Sequence, residues 1–321
     1  MIPPKVKEIG RLIKIMEIRG AGKIARSAVG ALKIAIDKSK GKTPYDIFKD
    51  MLESARYLNS TRPTAVSLPN ALRYVIKRGR ALLKEDLKPD EYKVRLTEIC
   101  DDFILSSEMA VRKIGEIGSR RIQDGDTILT HCNSSAAIRV ITTAHKHGKN
   151  IKVYATETRP RYQGRLTARA LVASGIDVTL IVDSAARLIM NKIDKVIVGA
   201  DAISVNGALI NKIGTSLIAL AANEARTLFF TAAETYKFSP ITMLGGLIEI
   251  EERDASEVIS PSEHEKIGKQ LKVYNPAFDV TPAKYIDMIF TEKGAIPPQA
   301  AYVILQEEFG WWLKEPGLED L

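Results

Sequence analysis

From Val6 to about Arg120, apolar residues recur every third or fourth position, as in Arg11-Leu-Ile-Lys-Ile-Met16, Ala28-Val-Gly-Ala-Leu-Lys-Ile-Ala-Ile36 and Phe103-Ile-Leu-Ser-Ser-Glu-Met-Ala-Val111. That interval follows the turn of an α-helix, so the first part of the chain is expected to be all-helical. Beyond it, short β-branched runs alternate with helical patterns: Thr127 to Thr130, Ile151 to Ala155, Val178 to Val182, Lys195 to Val198, Thr227 to Ala232 and Met288 to Thr291. Strands separated by helices imply βαβ units, hence an α/β protein with a mainly parallel, doubly wound sheet covered on both faces. The expected division is a helical domain over residues 1–120 and an α/β domain over 121–321.

In such sheets ligands bind beyond the carboxyl ends of the strands. Cys132, Glu157, Asp201 and Glu234 all fall at or just past predicted strand ends. The run Asp126-Thr-Ile-Leu-Thr-His-Cys132 delivers a thiol to that rim. The small polar stretch Asn133-Ser134-Ser135-Ala136-Ala137 then starts a helix whose free N–H groups can hold an anion. Lys195-Val-Ile-Val-Gly-Ala-Asp201 delivers a carboxylate in the same way, and if the two strands are neighbours one acid/base pair faces one pocket. Helix amides and nearby cations would favour the Cys132 thiolate. A carboxyl buried beside Val-Ile-Val-Gly-Ala would tend to stay protonated and so serve as an acid. His131 alternates to the other side of the strand and is not expected to be the base for the thiol. Cys100, within the helical part, reads as an ordinary core residue.

Other breaks in the pattern carry weaker signals. Arg19-Gly20-Ala21-Gly22 places two glycines beside cations just before a helical run, either a phosphate-binding loop or a plain helix–helix turn. In Thr61-Arg62-Pro63-Thr64, Pro63 is expected in the first turn of a helix. Arg159, held extended before Pro160, could aim its fork into the rim. Asn206-Gly207 is a tight-turn pair, Asn211-Lys212-Ile213-Gly214-Thr215 is expected to open a helix, and Glu234-Thr-Tyr-Lys237-Phe238 supplies a further lysine. Gly294-Ala-Ile-Pro-Pro298 and Pro316-Gly317 read as local turns.

With 321 residues, 45% hydrophobic and 27% charged, the chain has the makeup of a globular protein with room for two domains. Its apolar stretches fall far short of the roughly 20 residues of a membrane helix, and Met1-Ile-Pro-Pro-Lys-Val-Lys-Glu8 lacks a signal peptide's apolar core, so a cytoplasmic protein without a membrane partner is expected. Two cysteines in separate segments make neither a disulfide framework nor a zinc spacing; no metal and no cofactor is expected. The net charge of +8 raises the question of nucleic acid, but the cations are spread along the chain and aromatics make up only 6%. A small polyanion is the better-matched partner.

Together, Arg19-Gly-Ala-Gly22, Thr61-Arg-Pro-Thr-Ala-Val-Ser-Leu-Pro-Asn-Ala-Leu72, Thr130-His-Cys132, Glu157-Thr-Arg-Pro160, Gly199-Ala-Asp201, Asn206-Gly207, Asn211-Lys-Ile-Gly-Thr215 and Glu234-Thr-Tyr-Lys-Phe238 resemble the archaeal ribose-1,5-bisphosphate isomerase family. The likeness is collinear from about residue 15 to Glu307-Glu-Phe-Gly-Trp311. The wider family includes methylthioribose-1-phosphate isomerase and the regulatory subunits of the eukaryotic initiation-factor exchange complex. The resemblance implies a helical N-terminal domain, a Rossmann-like catalytic domain, a homo-hexamer built from dimers and regulation by a nucleotide such as AMP. It also implies Cys132 and Asp201 as the acid/base pair, with substrate contacts from Arg19, Gly20, Ala21, Gly22, Arg62, Ser134, Ser135, Ala136, Asn211, Lys212 and Lys237.

The chain departs from that pattern at Asn133 and Ser135, where the isomerases carry His and Lys; the second change removes a cation from the phosphate pocket. Asn133 also occurs in the motif of the methylthioribose enzymes, which keeps that activity open, as are a non-catalytic regulatory subunit and a nucleotide- or RNA-binding scaffold. The regulatory subunits generally lack the Cys and Asp pair that this chain keeps.

Overall fold

A computed structural model describes residues 2–268 and 270–310; Trp311 and the Pro316-Gly317 pair lie outside the described residues. The chain separates into two compact units. Unit 1 holds residues 2–110, 236–238 and 306–310, and unit 2 holds Val111–Thr235 and Ser239–Leu305.

Unit 1 contains α1 (Pro4–Lys14), α2 (Ala21–Lys38), α3 (Pro44–Thr61), α4 (Ser67–Leu82) and the part of α5 (Pro89–Ser119) up to Ala110. The interval of apolar residues produces the packing directly. Ala25, Ala28, Ala31 and Ala35 of α2 are buried together with Val29, Leu32 and Ile36, and these small side chains let α3 and α4 approach closely. Helix starts are set locally: Thr43 and Asp46 form a reciprocal capping box on α3, and α2 begins after Gly20, whose φ of 88° suits a glycine. Pro63 does not sit in the first turn of a helix as expected. It lies in a separate turn between α3 and α4, closed by Ala65 N–H donating to Arg62 O at 3.2 Å and Leu68 N–H donating to Ala65 O at 3.0 Å.

Unit 2 begins with the last turns of α5. It continues β1 (Thr127–Thr130), α6 (Ser135–Lys146), β2 (Lys152–Thr156), α7 (Gln163–Val172), β3 (Asp177–Ile181), α8 (Ala186–Ile189), β4 (Lys195–Gly199), β5 (Ala202–Ile203), β6 (Leu209–Lys212), α9 (Thr215–Ala225), β7 (Leu228–Ala232), α10 (Pro261–Ile267), β8 (Phe278–Thr281), β9 (Met288–Thr291) and β10 (Gly294–Ile296); α11 (Ala301–Phe309) follows. The main sheet has the order β10-β9-β7-β4-β1-β2-β3, parallel apart from β10. All six strands expected from the sequence are present in it. The order reverses between β1 and β4, which pair directly, Ile128 with Lys195 and Leu129 with Val196. This is the switch point where such sheets hold ligands. β4 is buried along its whole length, and its Lys195 ammonium meets Asp126 at 2.6 Å in a buried ion pair.

Four short strands escaped the sequence pattern. β5, β6 and β8 form a separate antiparallel sheet, so Asn211 and Lys212 end a strand, paired with Asp279 and Phe278, and do not open a helix. The helix α9 starts only at Thr215, after Gly214 has turned the chain with φ 100°. Gly294–Ile296, expected as a turn, is drawn into the sheet as β10 by pairing with β9.

Candidate active site

Cys132 stands two residues past the end of β1, where the chain must turn from strand to the start of α6. It makes that turn with φ 67°, in the left-handed region that costs a non-glycine residue on the order of 1–3 kcal/mol. Its backbone is gripped at both polar groups. The Cys132 N–H donates to Thr158 Oγ1 at 2.9 Å, and the Thr167 hydroxyl donates to Cys132 O at 2.7 Å. Asn133 Nδ2 donates in turn to Thr167 Oγ1 at 2.9 Å. Thr158 is itself left-handed, with φ 63°, and its N–H donates to Asp183 Oδ1 at 2.7 Å while that of Arg159 donates to Oδ2 at 2.6 Å.

His131 is fully buried, its ring between Thr156 and the turn after β6. Ile213 O can only accept, so His131 Nε2 carries the proton and donates to it at 3.0 Å. Nδ1 then accepts from Thr156 Oγ1 at 2.6 Å. Burial lowers the His131 pKa, with Asp183 opposing, so the ring is held neutral and serves as a strut between β1, β2 and the turn after β6.

Ser134 caps α6, its Oγ accepting from Ala137 N–H at 3.3 Å, which leaves Ser135 and Ala136 at the positive end of the helix. Gly199 explains how β4 comes so near: a Cβ there would lie 2.3 Å from Ser134 Cβ and Oγ. Two residues on, half-buried Asp201 is fixed by its N–H donating to Ile210 O at 3.0 Å. Lys212, buried, donates to Ala277 O at 2.8 Å with its ammonium 4.7 Å from the Phe278 ring centre. Asn211 donates to Thr215 Oγ1 at 3.0 Å.

Electrostatics revise the expected thiolate. Burial pushes the Cys132 thiol up to about 11; Lys212 pulls it down, Asp201 pushes it further up, and Arg253 pulls it down more weakly. The sulfur is crowded by protein atoms although the residue is only half-buried, so desolvation outweighs the cations and the resting thiol keeps its proton. Arg253 was not anticipated. It belongs to a long excursion between β7 and β8 with no periodic signal, where it pairs with Glu251 at 3.2 Å and lies 5.9 Å from the same Phe278 ring. Arg159, expected to aim into the rim, instead donates to the Tyr162 hydroxyl at 2.8 Å and to Val258 O at 3.1 Å.

Thus Cys132, Ser134, Ser135, Ala136, Asp201, Asn211 and Lys212 all belong to unit 2, around the junction of β1, β4 and β6. Arg19, Gly20, Ala21, Gly22, Arg62 and Lys237 belong to unit 1. There, one turn of α4 organises two of the groups. Ser67 Oγ donates to Ala21 O at 3.0 Å, and Asn70 Nδ2 donates to Tyr236 O at 3.0 Å and Phe238 O at 2.9 Å, bracketing Lys237. Ser67 and Asn70 fall inside the motif at residues 61–72, and their spacing of three, one helical turn, is the sequence signal for this shared work.

A model of the Initiation factor 2 subunit family matches residues 17–298, and the chain belongs to that family. Ribose 1,5-bisphosphate isomerase of Pyrococcus furiosus is 55% identical over 314 residues, spanning 98% of this chain and 97% of its own length. Among solved structures, translation initiation factor eIF-2B of Pyrococcus horikoshii OT3 superimposes with a TM-score of 0.78 at 32% identity, over 92% of this chain and 98% of that one. The 5-methylthioribose 1-phosphate isomerase of the same organism gives 0.76 at 33%, over 95% and 88%. Within the family this chain is an enzyme, an isomerase.

Proposed function

We propose that the protein converts ribose 1,5-bisphosphate to ribulose 1,5-bisphosphate, with Cys132 and Asp201 as the acid–base pair. What carries the reading is the near-full-length likeness, at 55% identity, to an enzyme of that name. It is supported by the adjacency of β1 and β4, which deliver the thiol and the carboxylate to one switch point.

The chemistry has a particular demand. The anomeric carbon of this substrate carries a phosphate, so the ring cannot open to a free aldehyde. In the resting site the thiol holds the proton. The reaction needs the thiolate of Cys132 and the carboxylic acid of Asp201 together. The thiolate takes the C2 proton while the acid protonates the ring oxygen, the bond from C1 to that oxygen breaks, and a C1-phosphorylated enediol remains. The thiol then returns its proton to C1 as Asp201 accepts that of the C2 hydroxyl, giving the ketose. Lys212 and the head of α6 offer positive potential to one phosphate; Arg19, Gly20, Ala21, Gly22, Arg62 and Lys237 are assigned to the rest of the substrate.

In this reading the enzyme works in the cytoplasm in nucleotide salvage, feeding a carboxylating partner, as a homo-hexamer built from dimers and activated by AMP. Purified protein incubated with ribose 1,5-bisphosphate and, separately, with methylthioribose 1-phosphate, followed by NMR, is expected to form ketose from the first alone. Conversion of the second alone, the reading favoured by Asn133, or of neither, would overturn the assignment.

A further inference from the structure

The turn that carries Cys132 is held by side chains that lie outside every predicted site residue. Thr158 comes from the segment after β2, 26 positions along the chain, and its hydroxyl is the acceptor for the Cys132 N–H at 2.9 Å. That hydroxyl also lies 3.3 Å from Thr156 O, to which it can donate while its lone pair accepts from Cys132. Thr158 is fully buried and β-branched, yet sits at φ 63°. A β-branched residue is a true outlier in that region. The strain is countered by Asp183, whose two carboxylate oxygens accept from the N–H groups of Thr158 and Arg159 at 2.7 and 2.6 Å. Two left-handed anomalies, at Cys132 and Thr158, are thus joined by one hydrogen bond and anchored by one carboxylate. Backbone strain of this kind persists only where the surroundings over-determine it.

We infer that Thr158, locked by Asp183, is a positioning residue for the reaction, setting the direction of the Cys132 thiol by holding that residue in its left-handed conformation. The inference rests on the proposed role of Cys132, but its geometric half does not. Without the hydroxyl, the Cys132 N–H loses its acceptor, the turn relaxes toward ordinary φ, and the sulfur swings out of the packed position that keeps it protonated.

The test is a pair of variants, Thr158→Val and Thr158→Ser, read three ways on the purified full chain. The first readout is the pH profile of iodoacetamide alkylation at Cys132, located by peptide mass spectrometry. The wild-type rate should climb tenfold per pH unit toward about 11. Thr158→Val should shift the midpoint down toward the ordinary thiol value, with a several-fold faster reaction at pH 8, and Thr158→Ser should restore the wild-type profile. The second readout is kinetic: Thr158→Val should lower kcat for ribose 1,5-bisphosphate roughly 10- to 100-fold with KM changed less than threefold, again rescued by Ser. The third is Tm, and Asp183→Asn, which keeps one acceptor oxygen, should fall between the two in all respects. A Thr158→Val protein with unaltered alkylation profile and kcat would overturn the inference, as would a loss of activity that serine fails to rescue. If Cys132→Ser retains activity while the alkylation profile still shifts in Thr158→Val, the reading of the thiol as a catalyst falls and the geometric link stands.

Discussion

The two cysteines make a controlled comparison between the two units. Cys100 lies in the middle of α5 in unit 1, fully buried in the helical core, and burial, with Asp101 adding and Lys33 opposing, pushes its thiol up to about 12. Cys132, on the rim of unit 2, is pushed up to about 11 by the same cause but is pulled down by Lys212 and Arg253. The same side chain is a space-filler in one place and a candidate acid–base group in the other. Each thiol has a carboxylate and a cation within electrostatic reach, so what separates them is the setting: a left-handed turn past a strand end for Cys132, the interior of a helix for Cys100. Burial suppresses both thiols; at the rim Lys212 and Arg253 both oppose it, whereas in the helical core Lys33 alone does so.

The sharpest way to break the comparison is to replace each sulfur. Cys132→Ser, like Asp201→Asn, should reduce isomerisation of ribose 1,5-bisphosphate by about 10²- to 10⁴-fold with Tm nearly unchanged. Cys100→Ser should leave kcat alone and lower stability by about 1–3 kcal/mol through an unsatisfied buried hydroxyl, measured by denaturant unfolding. If the two variants behave alike, the distinction is lost. Next in size, Lys212→Met should raise KM roughly 10- to 100-fold in steady-state assays and move the Cys132 alkylation midpoint further up, because the removed charge is the one that lowers it most. Cys100 should not respond.

Gly199→Ala should follow. Its methyl would meet Ser134 at 2.3 Å, so the head of α6 must shift, with a loss of about 1–3 kcal/mol in thermal unfolding and a fall in activity. The smallest effect is on the pH dependence of stability. Both thiols titrate higher in the folded protein than their ordinary 9.0, so the unfolded chain gives up these protons first as pH rises. Stability contributed by the buried thiols is therefore fully present below about pH 9 and is lost progressively toward 11 for Cys132 and 12 for Cys100. Denaturation midpoints across that range should fall more gently in Cys100→Ala than in the wild type.

The fold was readable to the extent that local pattern decides it. Helices from Pro4 to Ser119 follow the apolar interval, and each strand of the main sheet that the run of β-branched residues marks is present. The strands that were missed are short and take their definition from partners: β6 is a strand because β5 and β8 flank it, and β10 because β9 offers an edge. The turn at Cys132 was legible as a strand-to-helix boundary, whereas its clamp by Thr158 and Thr167, 26 and 35 residues away, had no local signature.

What the amino-acid sequence determined by itself was the alternation of helix and strand, and with it the placing of Cys132 and Asp201 just past strand ends; periodicity is a property of neighbours along the chain. Only the tertiary structure decided that β1 and β4 adjoin, that Gly199 lets Ser134 in, that Arg253 comes near the sulfur, and that the thiol rests protonated. Those depend on which distant segments share a small volume, and desolvation and Coulomb forces act through that volume irrespective of chain order.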